Sequence, residues 1–425
     1  MSQKKMAAQK SEFYPELFKP IMIGKVEIKN RVVMAPTNTA AVEPGGYISD
    51  RMIYFYAARA KGGTGLIITG AAVIEPSIIG EPFLMPFLYN PSHVPGWSEL
   101  AETIHAWDAK AFVQIDSGGP GRLGAIMGNP NALAPSPVPI NMDPERVVQK
   151  KASILWQKRG LDLAAHYHIG RDFPVPKEIP IEHIRRLEDQ IVHTIEMARH
   201  CGFDGAELHF AHGIMGSNFL SPRTNTRTDE YGGSLENRAR YLRNILQKAR
   251  QRVGPDFALG FRISAAEHMP GGLAAEDTAE ICKHVESSTD FIDVSTGMHH
   301  ESHAYMEPEE DGTIIDEASI IRQKVSVPVI TVSVHNPATG NDAIKQGKTD
   351  MIALSRGLIA DPEWANKARE GKKYVRCVKC LLGCSGRVDC GLPIRCEVNP
   401  NVMLEYQMPE YYRTKAPNKR TYHVE

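Results

Sequence analysis

The sequence lacks every long apolar segment that would place it in or across a membrane. No run of about 18 apolar residues occurs, and residues 1–10 are polar, without the apolar core of a secretion signal. The formal net charge is −1 with both signs mixed along the chain, so no basic field favours nucleic acid or an anionic membrane. These absences predict a cytoplasmic globular protein with no nucleic-acid or membrane partner.

A glycine-rich dinucleotide motif is also missing, since no Gly-x-Gly-x-x-Gly follows a strand-like run. What the 425 residues contain instead is eight short apolar runs alternating with segments of helical spacing. This alternation predicts an α/β protein, and a closed (β/α)8 TIM barrel suits it better than an open doubly wound sheet. Residues 17–31 predict a small hairpin lid before the first strand. The eight runs lie at residues 32–36, 65–70, 111–115, 205–210, 258–264, 291–296, 328–333 and 350–355.

The longest connection, residues 118–180, is rich in Pro, Gly and Asn and has a candidate helical piece at residues 150–167. A connection of this length on a barrel is commonly a functional lid, with a disordered insertion as the alternative. We therefore expect a barrel domain over residues 1–370 that carries this lid, and a separate segment over residues 371–425.

The predicted strand ends carry the candidate site, because barrel chemistry sits at the carboxyl ends of the strands. His209 and His212 follow the fourth run. Small residues at the first two ends leave room for a flat ligand, Gln114 offers a donor and an acceptor, and Arg262 adds a permanent positive charge. The last two ends supply hydroxyl groups and the guanidinium of Arg356 where barrels commonly hold a phosphate. A phosphorylated flavin would satisfy all of these groups.

Several longer motifs resemble the old yellow enzyme class of flavin oxidoreductases. The similarity covers residues 17–400 and is closest to the iron–sulfur branch, which contains 2,4-dienoyl-CoA reductase, 2-enoate reductase, naphthoyl-CoA reductase and trimethylamine dehydrogenase. The motifs are Met34-Ala-Pro36, Gly202-Phe-Asp-Gly205, Phe219-Leu-Ser-Pro222, the Asn225 to Arg240 stretch and Gly357-Leu-Ile-Ala-Asp-Pro362.

The resemblance implies FMN in the barrel, and a histidine pair, here His209 and His212, that binds the oxygen of the substrate. Two imidazole donors can polarise a carbonyl and stabilise the enolate that forms when hydride arrives. A structural pair or a pair of zinc ligands is the alternative. The resemblance places the FMN contacts at Pro36, Thr37, Ala71, Gln114, Arg262, Ser333, Ser355 and Arg356.

The sequence departs from the family pattern at two positions. Ile214 stands where relatives commonly carry a proton-donating Tyr, and Ser333 stands where they often have Gly. His299 and His300, after the sixth run, are therefore the candidate proton donors. The dienoyl-CoA reductases have a similar run there, one residue out of step. A substrate-binding role, or an exposed loop with no role, remains open for these two histidines.

Cysteines are concentrated near the end of the chain in the pattern Cys377-x2-Cys380-x3-Cys384-x11-Cys396. Thiolates at this spacing can hold a [4Fe–4S] cluster, and the pattern resembles the cluster motif of the family. A structural zinc site is the alternative, and Cys390 is left out of the ligand set. Relatives continue into FAD- and NAD(P)H-binding regions, so we expect those sites in a longer chain or in a separate electron-donating partner.

The sequence thus predicts an FMN- and [4Fe–4S]-dependent enzyme that reduces an activated C=C bond of an unsaturated acyl-CoA, acid or enone. A dearomatising aryl-CoA reductase is one alternative. An amine dehydrogenase would need an aromatic bowl for a cationic amine, which the strand ends lack. A non-catalytic electron-transfer subunit is a further alternative, and homo-oligomer formation is left open.

Overall fold

The computed structural model describes residues 11–75, 85–126, 128–140, 173–299, 301–302, 310–388 and 391–411. The strands are β1 Ile21–Ile23, β2 Val26–Ile28, β3 Val32–Met34, β4 Leu66–Ala72, β5 Lys110–Ile115, β6 Leu133–Ala134, β7 Lys177–Glu178, β8 Gly205–Phe210, β9 Ala258–Ser264, β10 Phe291–Ser295, β11 Val329–Val332 and β12 Met351–Leu354. The first helices are α1 Asp50–Lys61, α2 Val94–His105, α3 Arg122–Ile126, α4 Ile181–His200, α5 Met215–Leu220, α6 Leu235–Arg238 and α7 Arg240–Val253. They are followed by α8 Ala275–Val285, α9 Ile315–Lys324, α10 Pro337–Lys345, α11 Arg356–Ala360, α12 Trp364–Arg369 and α13 Ser385–Val388. Short 3-10 turns cover Pro91–His93, Glu286–Ser288, Glu405–Gln407 and Pro409–Tyr411.

Eight parallel strands close into one barrel, in the order β3, β4, β5, β8, β9, β10, β11, β12 and back to β3. All eight predicted runs became these strands, so the TIM-barrel prediction is confirmed. The strands of such a barrel are covered by helices outside and filled by side chains inside, which explains why β4 and β9 are buried at every position.

The helices begin where the sequence supplies a cap. The side chain of Ser49 accepts a hydrogen bond from the Met52 amide at the start of α1. At the start of α10, the side chain of Asn336 accepts one from the Ala338 amide, and Pro337 is the first residue of the helix. Helical spacing runs through residues 236–253, and the structure divides this segment at Ala239 into α6 and α7. No helix within the described ranges is long and apolar enough to cross a membrane.

The amino-terminal hairpin is confirmed, and it covers the amino ends of the barrel strands. β1 and β2 pair antiparallel, with Ile23 opposite Val26. Gly24, at the turn, lies against Asp290, which immediately precedes β10. The turn of the hairpin therefore lies at the amino end of β10, opposite the carboxyl strand ends that carry the predicted site.

The long connection begins and ends as ordered structure. α3 follows β5, and β6 pairs with β7 across the connection. Arg227 fixes this pair, because its Nη1 donates to the carbonyl oxygens of Pro135 and Ile179 at 2.9 and 2.8 Å. The helical piece predicted at residues 150–167 lies outside the described residues.

The segment after the barrel packs closely on it. The amide of Ile394 donates to the Thr39 carbonyl at 3.0 Å, and Asn399 Nδ2 donates to the Ile359 carbonyl at 2.9 Å. Arg59 of α1 forms an ion pair with Glu405, Nη1 to Oε1 at 2.6 Å, and the two side chains are 0% and 2% exposed. The boundary near residue 370 stays a prediction, although these contacts tie both sides of it together.

Replacing Glu405 by Gln should destabilise the protein by about 3 to 5 kcal/mol, because it leaves the Arg59 charge buried without its counter-ion. Urea unfolding at neutral pH measures the change. Asp256→Asn is the matched control, since Asp256 pairs with Lys25 at 2.8 Å on the exposed surface and should change little. Equal effects of the two substitutions would contradict a structural role for the buried pair.

Candidate functional site

The predicted site residues come together around the carboxyl ends of the barrel strands. Each arrives from a different strand, so closure of the barrel rather than local sequence brings them into one mouth. His300 lies outside the described residues. The others are Pro36 and Thr37 after β3, Ala71 on β4, Gln114 on β5, His209 on β8, His212 after β8, Arg262 on β9, His299 after β10, Ser333 after β11, and Ser355 and Arg356 after β12.

The two histidines after β8 face each other, with ring centroids 5.3 Å apart and planes inclined at 76°. The backbone of His212 is in the left-handed region, at φ +65°, which a side-chain-bearing residue adopts only where its surroundings hold it. Its amide donates to Ser264 Oγ at 3.0 Å, and its carbonyl accepts from the His299 amide at 2.8 Å. The pair is therefore fixed from both β9 and the loop after β10.

These histidines are neutral at physiological pH. Burial lowers the pKa of His209 to about 3 and that of His299 to about 4, and it places the pKa of His212 well below its ordinary value. The positive charge of Arg262 lowers the pKa of His209 and of His212 further. Neutral rings can each offer one N–H donor without adding charge to the mouth.

A serine hydroxyl connects the histidine pair to the arginine. Ser295 Oγ lies 2.7 Å from His212 Nε2 and accepts from Arg262 Nη2 at 3.3 Å. Arg262 Nη1 also lies 3.5 Å from Asp293 Oδ2. The guanidinium is thus held at the mouth by two residues of β10.

Sequence reasoning missed an acidic pair inside the barrel. Gln114 Nε2 donates to Glu207 Oε1 at 2.7 Å, and both Glu207 and Asp293 are fully buried. Their signal was available, because an acidic residue inside an otherwise apolar buried strand needs a partner. Glu207 and Asp293 lie within β8 and β10 rather than at the strand ends, where barrel chemistry is expected.

The first and last barrel strands meet through hydroxyl groups. Thr37 Oγ1 and Ser355 Oγ are 2.7 Å apart. A side chain at Gly70 would place its Cβ 2.4 Å from the Thr37 carbonyl, so only glycine permits this approach. Ser333 has φ +64°, a conformation that glycine adopts freely, so the glycine that the family resemblance implies at this position would be unstrained.

The mouth fits a polar, planar, phosphorylated ligand. His209 Nδ1 and Arg262 Nε are buried nitrogen atoms that find no hydrogen-bond partner among the residues described. Buried polar atoms are normally satisfied, so such atoms at a cavity indicate a ligand that completes them. Small Ala71 and Gly70 leave space beside them.

A buried ionic cluster joins the loops around the mouth. Glu301 Oε2 accepts from Arg223 Nη2 at 2.6 Å and from Arg122 Nη2 at 3.3 Å. Arg122 also donates to the carbonyl oxygens of Val138 and Pro139, at the start of the long connection. The loop that carries His299 is therefore anchored to the base of the predicted lid.

Ile214 belongs to a small apolar cluster that is separate from the main core. It packs with Leu123 and Ile126 of α3, and Ile140 and Phe173 pack against them. The residue that replaces the usual Tyr thus forms an apolar wall between the histidine pair and the long connection.

The four predicted cluster ligands line one pocket together with Arg356: Cys377, Cys380, Cys384 and Cys396. Burial raises the pKa of the Cys377 thiol and raises that of Cys384 to about 11. No group of three or more His, Cys, Asp or Glu side chains in the described ranges is already arranged as a metal site. The donor set nevertheless fits an iron–sulfur cluster, because four thiols surround one space.

Comparison with known proteins settles the family. The model of the NADH:flavin oxidoreductase / NADH oxidase family matches residues 16–374. The chain belongs to this family. The expected resemblance is thereby confirmed, the flavin oxidoreductase is an enzyme, and its family supports FMN as the cofactor.

Two curated relatives of this flavin oxidoreductase are longer than the chain. NADH oxidase of Thermoanaerobacter brockii is 35% identical over 394 residues, which cover 91% of this chain and 56% of that protein. Cinnamate reductase of Clostridium sporogenes is 34% identical over 416 residues, covering 91% and 58%. The chain thus spans a little more than half the length of these relatives.

Solved structures confirm the flavoenzyme barrel. A complex of 2-naphthoyl-CoA reductase with 2-naphthoyl-CoA is 28% identical, with a TM-score of 0.79 over 94% of this chain and 59% of that one. Histamine dehydrogenase from Rhizobium sp. 4-9 is 26% identical, with a TM-score of 0.74 over 93% and 53%.

The site histidines should not titrate between pH 5 and 8, because burial lowers the pKa of His209 to about 3, that of His299 to about 4 and that of His212 well below its ordinary value. His268 is the internal control, since its contact with Glu317 at 2.9 Å raises its pKa above the ordinary value. Imidazole NMR shifts followed against pH measure both. Because unfolding lets the buried rings take up protons, stability should fall as pH drops below about 6.5. A site histidine that titrates near 6.5 would contradict its burial.

Proposed function

We propose that this flavin oxidoreductase binds FMN and reduces an activated C=C bond of an unsaturated acyl-CoA, acid or enone. The observation that carries the proposal is the neutral pair His209 and His212, held side by side next to Arg262. Cinnamate reductase, a relative 34% identical, is named for a substrate whose C=C bond is conjugated to a carboxylate.

The residues that would hold FMN are those gathered at the mouth. Gln114 and Arg262 offer hydrogen bonds and positive charge to the ring, and Ser333, Ser355 and Arg356 lie at the strand ends assigned to the phosphate. When bound, FMN supplies the hydride. Arg262 would hold its permanent positive charge beside the ring, in a setting where little water screens it.

The histidine pair would bind the carbonyl oxygen of the substrate. Each neutral ring has one N–H to donate, and the negative charge that develops on this oxygen strengthens both hydrogen bonds. The fixed backbone of His212 pre-organises that donor, because Ser264 and the His299 amide hold it from opposite sides. Removal of one such donor typically costs about 10² to 10³ in rate.

Protonation of the product needs another group, since Ile214 has no proton to give. His299 is buried, with a pKa of about 4, and is neutral when the reaction proceeds at pH 7. A neutral imidazole is a weak acid, which argues against His299 as the proton donor and leaves His300, which lies outside the described residues, as the other candidate.

The four cysteines would hold a [4Fe–4S] cluster that passes electrons to the flavin. Cys377, Cys380, Cys384 and Cys396 line the pocket, and Arg356 reaches both this pocket and the barrel mouth. FAD and NAD(P)H would bind in an electron-donating region, either in a longer chain or on a partner. The greater length of the relatives supports the first arrangement.

A dearomatising aryl-CoA reductase is the second candidate. The apolar wall of Ile214, Leu123 and Ile126 suits an aryl group beside the histidine pair. The solved 2-naphthoyl-CoA reductase complex, 28% identical, supports the same substrate class.

A substrate panel under anaerobic conditions tests these proposals. Reduced flavin in the native protein should be reoxidised by cyclohexenone, crotonyl-CoA or an aryl-CoA. Trimethylamine can only give electrons to a flavin, so it is added to the oxidised flavin, which it should leave unreduced. The double variant His209→Ala/His212→Ala should slow that reoxidation by about 10²-fold or more, because the oxygen donors are lost. Stopped-flow absorbance of the flavin gives both rates.

His105→Ala is the matched control for this panel. His105 contacts Asp204 at 2.6 Å at the amino ends of the strands, away from the mouth, and its loss should leave the reoxidation rate near native. Reoxidation by none of the unsaturated compounds would contradict the proposed reduction and favour an electron-transfer subunit.

Cys380→Ser should abolish the brown absorbance near about 400 nm that a [4Fe–4S] cluster gives, since each iron needs one protein sulfur. Cys201→Ser is the control, because Cys201 is buried beside α2 and lies outside the cysteine pocket. Iron content and the absorbance spectrum of anaerobically purified protein measure the change. Zinc in place of iron in the native protein would refute the cluster.

A further inference from the structure

Two carboxyl groups lie inside the barrel directly beneath the mouth. Glu207 of β8 and Asp293 of β10 are both 0% exposed, and their side chains contact each other. Gln114 Nε2 donates to Glu207 Oε1 at 2.7 Å, while Arg262 Nη1 lies 3.5 Å from Asp293 Oδ2. The pair thus connects two residues that face the ligand.

The remaining oxygen atoms of this pair find no donor in the part of the chain that the structure describes. They are Glu207 Oε2 and both oxygens of Asp293, apart from the ion pair that Asp293 makes with Arg262. Two ionised carboxylates in contact repel strongly in a buried site, and unsatisfied charged oxygens there are costly. One proton between the two groups removes both problems.

The groups around Glu207 and Asp293 carry one positive charge, which can balance only one negative charge. Arg262 supplies a permanent positive charge from β9. His209, His212 and His299, at the same end of the barrel, are neutral, and Gln114 on β5 carries no charge. One ionised carboxyl group therefore neutralises Arg262, and the other must be protonated for the interior to be neutral.

We propose that Glu207 carries this proton and donates it from Oε2 to Asp293, so that Asp293 balances Arg262 while Glu207 positions Gln114. The inference rests on the proposed binding of FMN, because Gln114 and Arg262 are the residues assigned to its ring. Both Glu207 and Asp293 act through these neighbours and are positioning residues.

The hydrogen-bond geometry agrees with this distribution of charge. Glu207 Oε1 accepts from Gln114 Nε2, so the amide oxygen of Gln114 is directed away from Glu207 and can accept a hydrogen bond from a ring N–H. Burial and the neighbouring Asp293 both raise the pKa of Glu207. Burial raises the pKa of Asp293 as well, and the contact with Arg262 and the hydrogen bond with Glu207 offset part of that rise.

Two variants separate charge from packing in FMN-loaded protein. Glu207→Gln replaces a neutral acid by a neutral amide and should leave the midpoint potential of the flavin near native. Adding Asp293→Asn removes the counter-charge of Arg262 and should favour the anionic reduced ring at least tenfold, which is about 30 mV for two electrons. If the midpoint potential rose by about 30 mV in Glu207→Gln alone, the proposal would be overturned. An unchanged midpoint potential in the double variant would overturn it as well.

Thermal unfolding of the full chain without FMN gives a second readout that does not depend on catalysis. A raised pKa means that the native chain keeps its proton while the unfolded chain loses it, so native stability falls as pH rises above about 4.3. The variant Glu207→Gln has no proton to lose at this position, so its stability does not fall in this way. The Tm of the variant minus the Tm of the native chain should therefore increase by about 1 to 2 °C per pH unit between pH 5 and 8. A constant Tm difference would show packing alone.

The two measurements also separate this inference from the proposed function. Native protein that binds no FMN would overturn the function, while the Tm profile would still decide whether Glu207 holds the proton. If the double variant does not fold, Glu207→Gln decides by its potential and its Tm profile together.

Discussion

Arg262 brings a permanent positive charge into the mouth of a closed barrel, and the surrounding side chains are arranged to accommodate it. Asp293 lies beside the guanidinium, Ser295 accepts from it, and the nearby histidines are kept neutral partly by its charge. Low exposure strengthens each of these interactions, because little water screens them. The mouth is therefore ready to stabilise negative charge on a ligand without holding charge of its own on the imidazoles.

Much of the fold followed from the sequence, because strands buried on both sides leave continuous apolar runs that alternate with helices. The predicted hairpin and the helix α1 also match the structure. Site residues at strand ends were found for the same reason, since barrel topology places those ends together. Their roles stay predictions. What single-sequence patterns could not provide was the pairing across the barrel, so the contact of Gln114 with Glu207 emerged only from the register of β5 and β8.

Local conformation was equally hard to anticipate. Nothing in the run His209 to Gly213 signals that His212 adopts a left-handed backbone, because that conformation is imposed by Ser264 and by the loop after β10. The break at Ala239 is similar, since the helical spacing continues through it. In both cases tertiary contacts override the local preference of the chain.

The apolar surroundings of Ile214 have a consequence for the shape of the product. In a reductase of this design, the group that delivers the proton decides which face of the intermediate receives it. A side chain without a proton cannot make that choice, and Ile214 is instead packed with Leu123 and Ile126. Under the proposed reduction, the loop after β10 would set the handedness at the carbon next to the carbonyl, so enzymes that differ only in that loop would yield mirror-image centres.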